Sequence, residues 1–135
     1  MPKIESLVAA VLDTHAWVWA SAGDSRARTL ENFSGAAVVS AISLWEVSML
    51  SMKGRLELKP DEATWFSENL ESPVTLSPLT PEICITSSRL PDFHGDPADR
   101  IIVATAMTMG IPLITADEGI IRWNASQSLL QVIGI

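Results

Sequence analysis

The chain predicts a single α/β domain, residues 1–135, built on a mainly parallel sheet of about five strands. Three observations predict it. Short apolar runs recur along the sequence and are continuous rather than alternating, as strands buried on both faces require. The stretches between them carry helix start and stop signals. The two kinds of stretch follow one another along the chain, which is the order that winds a parallel sheet.

Taken in order, "LVAAVLD" (7–13) reads as a buried strand ending on Asp13. "THAWVWASAG" (14–23) follows as a helix that stops at Gly23, and "DSRARTLENFSG" (24–35) as another that opens on an Asp and closes on a Gly. "AAVVSA" (36–41) is the second strand, followed by a helix over "ISLWEVSMLSMKG" (42–54). "PDEATWFSENLES" (60–72) places Pro and then acids in its first turn. A weaker strand, "PVTLSPL" (73–79), and a helix over "TPEICITSSRL" (80–90) come next. "PADRIIVATAMTMG" (97–110) has Pro97 at the first helical position and Gly110 just past the end. "IPLITAD" (111–117) is the fourth strand, 118–123 a short helix, and "LLQVIGI" (129–135) the fifth strand.

At 135 residues and 47% apolar, one domain can bury a real core. No apolar run approaches the roughly 20 residues of a membrane span, and "MPKIESLVAAVLD" reads as structure rather than a secretory leader. The single Cys84 excludes an internal disulfide and a multi-cysteine metal site, and suits a reducing, cytoplasmic setting. Sixteen acids against nine bases give a net charge of −7. That argues against a basic nucleic-acid-binding face. It leaves room for an acidic metal-dependent nuclease pocket, and it favours a basic protein partner.

The placement of the acids carries the chemistry. In a parallel sheet the C-terminal ends of strands and the N-terminal ends of the intervening helices share one edge, where α/β proteins bind ligands. Asp13 ends the first strand and Asp117 the fourth. Glu46 lies near the start of the helix after the second strand, and Asp99 in the first turn of the helix before the fourth. All four belong on that edge. Carboxylates gathered there would repel each other, and a hard divalent cation such as Mg²⁺ or Mn²⁺ is the usual compensation. Such an ion activates water and neutralises charge on a phosphoryl oxygen, so phosphodiester hydrolysis is the natural reaction.

Each acid also has a structural explanation. Ser43–Glu46 and Asp96–Asp99 are both spaced as capping boxes. Asp117 can cap the helix at 118, and Asp96 serves as a cap beside Asp99. Four unrelated caps meeting at one edge is the weaker account. Thr14, Ser40, Ser43 and Thr115 fall around the same edge and can orient carboxylates or a bound water; Ser43 and Thr115 are the strongest of these.

Other residues are less decisive. His15, beside Asp13, reads as a half-buried helix-start histidine or as a contact to metal or phosphate, and His94 as a solvated loop residue or as a group that neutralises a leaving oxygen. Arg100, Lys53 and Arg55 are candidates to touch backbone phosphates, with Lys59 and Arg89 behind them; Arg100 could instead pair with a carboxylate. The five tryptophans suit core packing or a dimer face better than base stacking. Cys84 reads as inert packing. No dinucleotide or P-loop motif is present.

"LDTHAWVWA", "SAISLWEVSML", "HGDPADRIIVATA" and "PLITAD", in that order, resemble the PIN-domain proteins, and among them the VapC-type toxins of type II toxin–antitoxin modules. The resemblance covers all but the first half-dozen residues. It implies a Rossmann-like, three-layer α/β/α fold and a Mg²⁺- or Mn²⁺-dependent endoribonuclease. The family's acidic constellation falls on Asp13, Glu46, Asp99 and Asp117. The resemblance further implies a homodimer and a cognate antitoxin whose C-terminal segment blocks the groove. The chain departs from the subgroup at Gly95, where a base follows the late histidine, and at Ala98, where an aromatic precedes Asp99-Arg100. Two other functions fit the same residues: a non-catalytic PIN-fold binding module, and a metal-dependent nuclease or phosphatase with another substrate.

Overall fold

A computed structural model describes residues 3–135. Five strands, β1 (Ala9–Leu12), β2 (Ala36–Ser40), β3 (Val74–Ser77), β4 (Leu113–Thr115) and β5 (Val132–Gly134), form one sheet in the order β3-β2-β1-β4-β5. Every pairing is parallel. The helices are α1 (Thr14–Ala22), α2 (Ala41–Met52), α3 (Glu62–Asn69), α4 (Pro81–Ser88), α5 (Pro97–Met109) and α6 (Glu118–Gln127).

The continuous apolar runs have the predicted consequence. Side chains alternate across each strand, so both faces of the sheet are covered. Ala10, Leu12, Ala37, Val39 and Ile114 pack on one side with Trp17, Leu30 and Val47. Val11, Val38 and Leu113 pack on the other with Ile102, Val103, Ile120 and Trp123. Full burial of such side chains is worth about 1.5–3 kcal/mol each, which makes three layers stable in a chain this short. Buried indoles find polar partners as they must: Trp17 Nε1 donates to the Asn69 carbonyl at 3.1 Å and Trp123 Nε1 to that of Pro91 at 2.7 Å.

Strand and helix ends fall within a few residues of expectation, with two differences of kind. The helix expected over 24–35 is 3-10 in character, Ser25–Asn32, and breaks helical geometry at Ala27. Its sequence is strongly polar, and only Ala27 and Leu30 are buried, so packing does not enforce a regular α-helix. The short helix at 118–123 runs on to Gln127, because Trp123 and Ile120 anchor it to the sheet. Cys84 is exposed, which corrects the expectation of a packed thiol. Among the described residues no helix is long and apolar enough to cross a membrane.

Candidate active site

β1 lies at the centre of the sheet, and its C-terminal end delivers Asp13. The residue caps α1, accepting from the Ala16 amide at 2.7 Å through Oδ1. Its other oxygen accepts from the Thr115 hydroxyl and from the Ala116 amide at 3.3 Å. Three donors hold a carboxylate that is 5% exposed. Burial raises its proton affinity, and these hydrogen bonds oppose the rise without cancelling it.

Thr115 joins two acids. Its hydroxyl donates to Asp13 and accepts from the Asp117 amide at 2.9 Å. Asp117 in turn caps α6, with Oδ1 accepting from the Ile120 amide at 3.0 Å. The end of β4 thus fixes the spacing of two carboxylates through one β-branched side chain.

The third acid arrives by a route the sequence obscured. Ser40, not Ser43, caps α2, accepting from the Ile42 amide at 3.2 Å. The Ser43–Glu46 capping box therefore does not form, and Glu46 lies in the second turn. Ser43 is fully buried and lies 2.8 Å from the Thr14 hydroxyl, which itself donates to Glu46. With its proton committed to Glu46, Thr14 accepts from Ser43. The relay Ser43–Thr14–Glu46 orients the carboxylate, and burial raises the proton affinity of Glu46.

On α5 the expected cap is present. Asp96 accepts from the Asp99 amide at 2.8 Å. Asp99 itself is half-buried, and its carboxylate has no hydrogen-bond donor among the described residues. Burial first, and then the charges of Asp96, Asp117, Glu46 and Asp13, push its pKa up to about 7. Four acids thus act electrostatically on a fifth.

Asp13, Glu46, Asp96, Asp99 and Asp117 all line one cavity of about 300 Å³. The caps expected for Asp96 and Asp117 form, Asp13 caps α1 as well, and all three residues face the shared cavity. His15 and Trp19 line it too, beside Thr14 and Ala116; they lie one helical turn apart with ring centroids 5.7 Å from each other. His15 is exposed rather than half-buried. Trp19 was missed as a site residue; its i+4 spacing from His15 was the available signal. Arg26 covers the Trp19 ring at 4.3 Å.

The expected phosphate contacts do not gather here. Arg100 follows Asp99 but turns away from it. Its guanidinium donates to the carbonyls of Ser87 at 3.1 Å and Phe93 at 2.6 Å, and lies 5.5 Å from the Phe93 ring centre. It is a structural clasp. Lys53 and Arg55 lie just past the C-terminus of α2, away from the edge where that helix begins.

Among the described residues no three acidic, histidine or cysteine side chains stand close enough to one point to enclose an ion unaided. The acids line a bowl rather than form a closed cage, which narrows the expectation of four joint ligands. An all-oxygen, strongly anionic bowl still fits a hard cation. Mg²⁺ in particular keeps several waters and takes only one or two carboxylates directly. Zinc would want nitrogen or sulfur donors that this bowl, His15 apart, does not offer.

The PIN domain family model matches residues 10–124. The chain belongs to the PIN-domain family. Within it the chain is 35% identical over 114 residues to Ribonuclease VapC22 of Mycobacterium tuberculosis (strain ATCC 25618 / H37Rv), covering 80% of this chain and 86% of that protein. This places it with the VapC-type members. Solved structures share the fold at lower identity. VapBC2 from Rickettsia felis, bound to a promoter DNA fragment, superposes with a TM-score of 0.71 at 16% identity, covering 93% of this chain and 98% of that one. DNA-bound VapBC from Salmonella typhimurium gives 0.68 at 18%, covering 95% and 98%. The three-layer α/β/α arrangement is that of these PIN proteins.

Proposed function

We propose that the acidic bowl is the active site of an endoribonuclease, the toxin of a type II toxin–antitoxin pair, that uses a divalent metal ion, Mg²⁺ or Mn²⁺. One observation carries it: acids delivered by β1, α2, α5 and the end of β4 line a single cavity. The ribonuclease relative, similar over most of its length, supports RNA as the substrate. The toxin–antitoxin complexes among the fold neighbours support a cognate antitoxin.

Asp13, Glu46, Asp99 and Asp117 would hold the ion, in part through its waters. When bound, it supplies charge neutralisation at the phosphoryl oxygens and lowers the pKa of water. The protein's own groups do the rest. Thr115 fixes Asp13 relative to Asp117, and the Ser43–Thr14 pair fixes Glu46. Glu46, whose proton affinity burial raises, is placed to receive the proton that an attacking water releases. Asp96 stays a cap that turns Asp99 inward. A basic, partly apolar antitoxin segment suits both the acids and the exposed Trp45 and Met52 of α2. The same reading carries a homodimer and a cytoplasmic setting.

The test is cleavage of structured RNA by purified protein, paired with calorimetric titration of Mg²⁺ and Mn²⁺. Cleavage that chelator stops and Asp99→Asn abolishes is the expected result. A protein that neither binds either ion nor cuts RNA would instead be a binding module.

A further inference from the structure

A second cavity, of about 460 Å³, opens beside the acidic bowl and shares two of its walls, Asp99 and Asp117. The loop 91–95 and the outer face of α6 frame it. Its floor is rigid: Phe93 is buried and packs edge-on against Trp123 with ring centroids 4.9 Å apart. Two glycines in its wall let the backbone pass close to Phe93 and Asp117. A Cβ on Gly95 would lie 2.3 Å from Phe93 Cε1, and one on Gly119 would lie 3.0 Å from Asp117 Oδ1.

The chemistry of this cavity differs from that of its neighbour. Away from the two shared acids it carries Arg122, His94, Gln127 and Ser126, with one further acid, Asp92, on the loop side. Arg122 is the one Lys or Arg among the described residues in the walls of either cavity. Its contact to Glu118 is 4.0 Å long between two exposed side chains, and such bridges are weak enough to yield to a phosphate. Gln127 is held only by a 3.5 Å contact to Asp92. Donors and a cation therefore stand free beside a bowl that supplies negative charge alone.

We propose that this cavity is the subsite for the RNA nucleotide next to the cleaved phosphodiester, with Arg122 and His94 on its phosphate and Gln127 on its base. The proposal rests on the ribonuclease reading above. A strand whose reacting phosphate lies over Asp99 and Asp117 must carry its neighbouring nucleotide across one of their flanks. This flank offers a pocket of ligand size and the cation that the acidic bowl lacks.

The experiment measures binding without turnover, by anisotropy of a labelled single-stranded RNA on the Asp99→Asn protein with and without Arg122→Gln. Arg122→Gln is expected to weaken binding about tenfold at low salt and to reduce the salt slope by about one. Arg122→Lys should restore most of both. On the otherwise native enzyme, Ser126→Trp, which fills the cavity from its rim, should raise KM for RNA and leave kcat unchanged. Should native protein cleave RNA while Arg122→Gln keeps its affinity and salt slope, the subsite is wrong and the nuclease stands. Should native protein neither bind nor cleave RNA, both readings fall.

Discussion

Asp13 and Asp99 face the same cavity but are held in opposite ways. Asp13 is almost completely buried and receives three hydrogen bonds, two of them from a segment about a hundred residues away. Asp99 sits half-exposed in the first turn of α5, its carboxylate receives none among the described residues, and its pKa is pushed up to about 7 by burial and by its acidic neighbours. The first acid joins β1, α1 and β4 while it faces the bowl. The second does nothing for the fold. One site can therefore contain a carboxylate the structure depends on and another that the structure merely tolerates.

The sharpest way to break this contrast is to remove each acid in turn. Asp99→Asn should lower RNA cleavage by more than about a hundredfold, since even residues that only orient a ligand are worth 10–100-fold. Its metal-free melting temperature should hold or rise, because the substitution relieves repulsion. Asp13→Ala should abolish cleavage as well, and should also cost about 2 kcal/mol of stability through a lost cap and stranded donors. Thermal melts of the two variants side by side decide the matter, and equal destabilisation would erase the distinction.

Thr115→Val keeps the shape of β4 and removes the hydroxyl between Asp13 and Asp117. Cleavage should fall by about 10–100-fold. Thr115→Ser should recover most of it.

The smallest effect is on pH. Asp99 ordinarily titrates near 3.8 and here near 7, so between those values the folded chain holds a proton that the unfolded chain has released. Stability of the metal-free protein should therefore fall as pH rises from about 4 to 7, as linkage requires. The trend should shrink in Asp99→Asn, where Asp13 and Glu46 with their raised proton affinities still contribute, and shrink in native protein when Mg²⁺ is added. A melting temperature that rises over that range would contradict the assignment.

Much of this was readable from the chain because burial leaves a simple mark. Continuous apolar runs announced strands covered on both faces, and once the sheet was parallel the edge carrying Asp13, Asp99 and Asp117 followed. What escaped depended on contacts with no local signature. Ser43 has the spacing of a cap, yet the helix starts earlier at Ser40, which frees Ser43 to meet Thr14. Arg100 stands next to an acid in sequence, but the carbonyls of Ser87 at the end of α4 and Phe93 in the loop before α5 claim it. Trp19 packs against the core as expected, and what escaped is that it also lines the bowl. The polar segment after α1 carried helix boundaries without the apolar stripe that makes an α-helix regular.

The Thr115–Asp13 hydrogen bond spans 102 residues of sequence. β4 can pair with β1 only after β2, β3 and the helices between them have been made, and β5 joins β4 later still. During synthesis, then, an unfinished copy has Asp13 and Glu46 in hand but not the hydroxyl and the carboxylate that complete the bowl. A chain assembled in this order gains the complete bowl only when β4 docks beside β1.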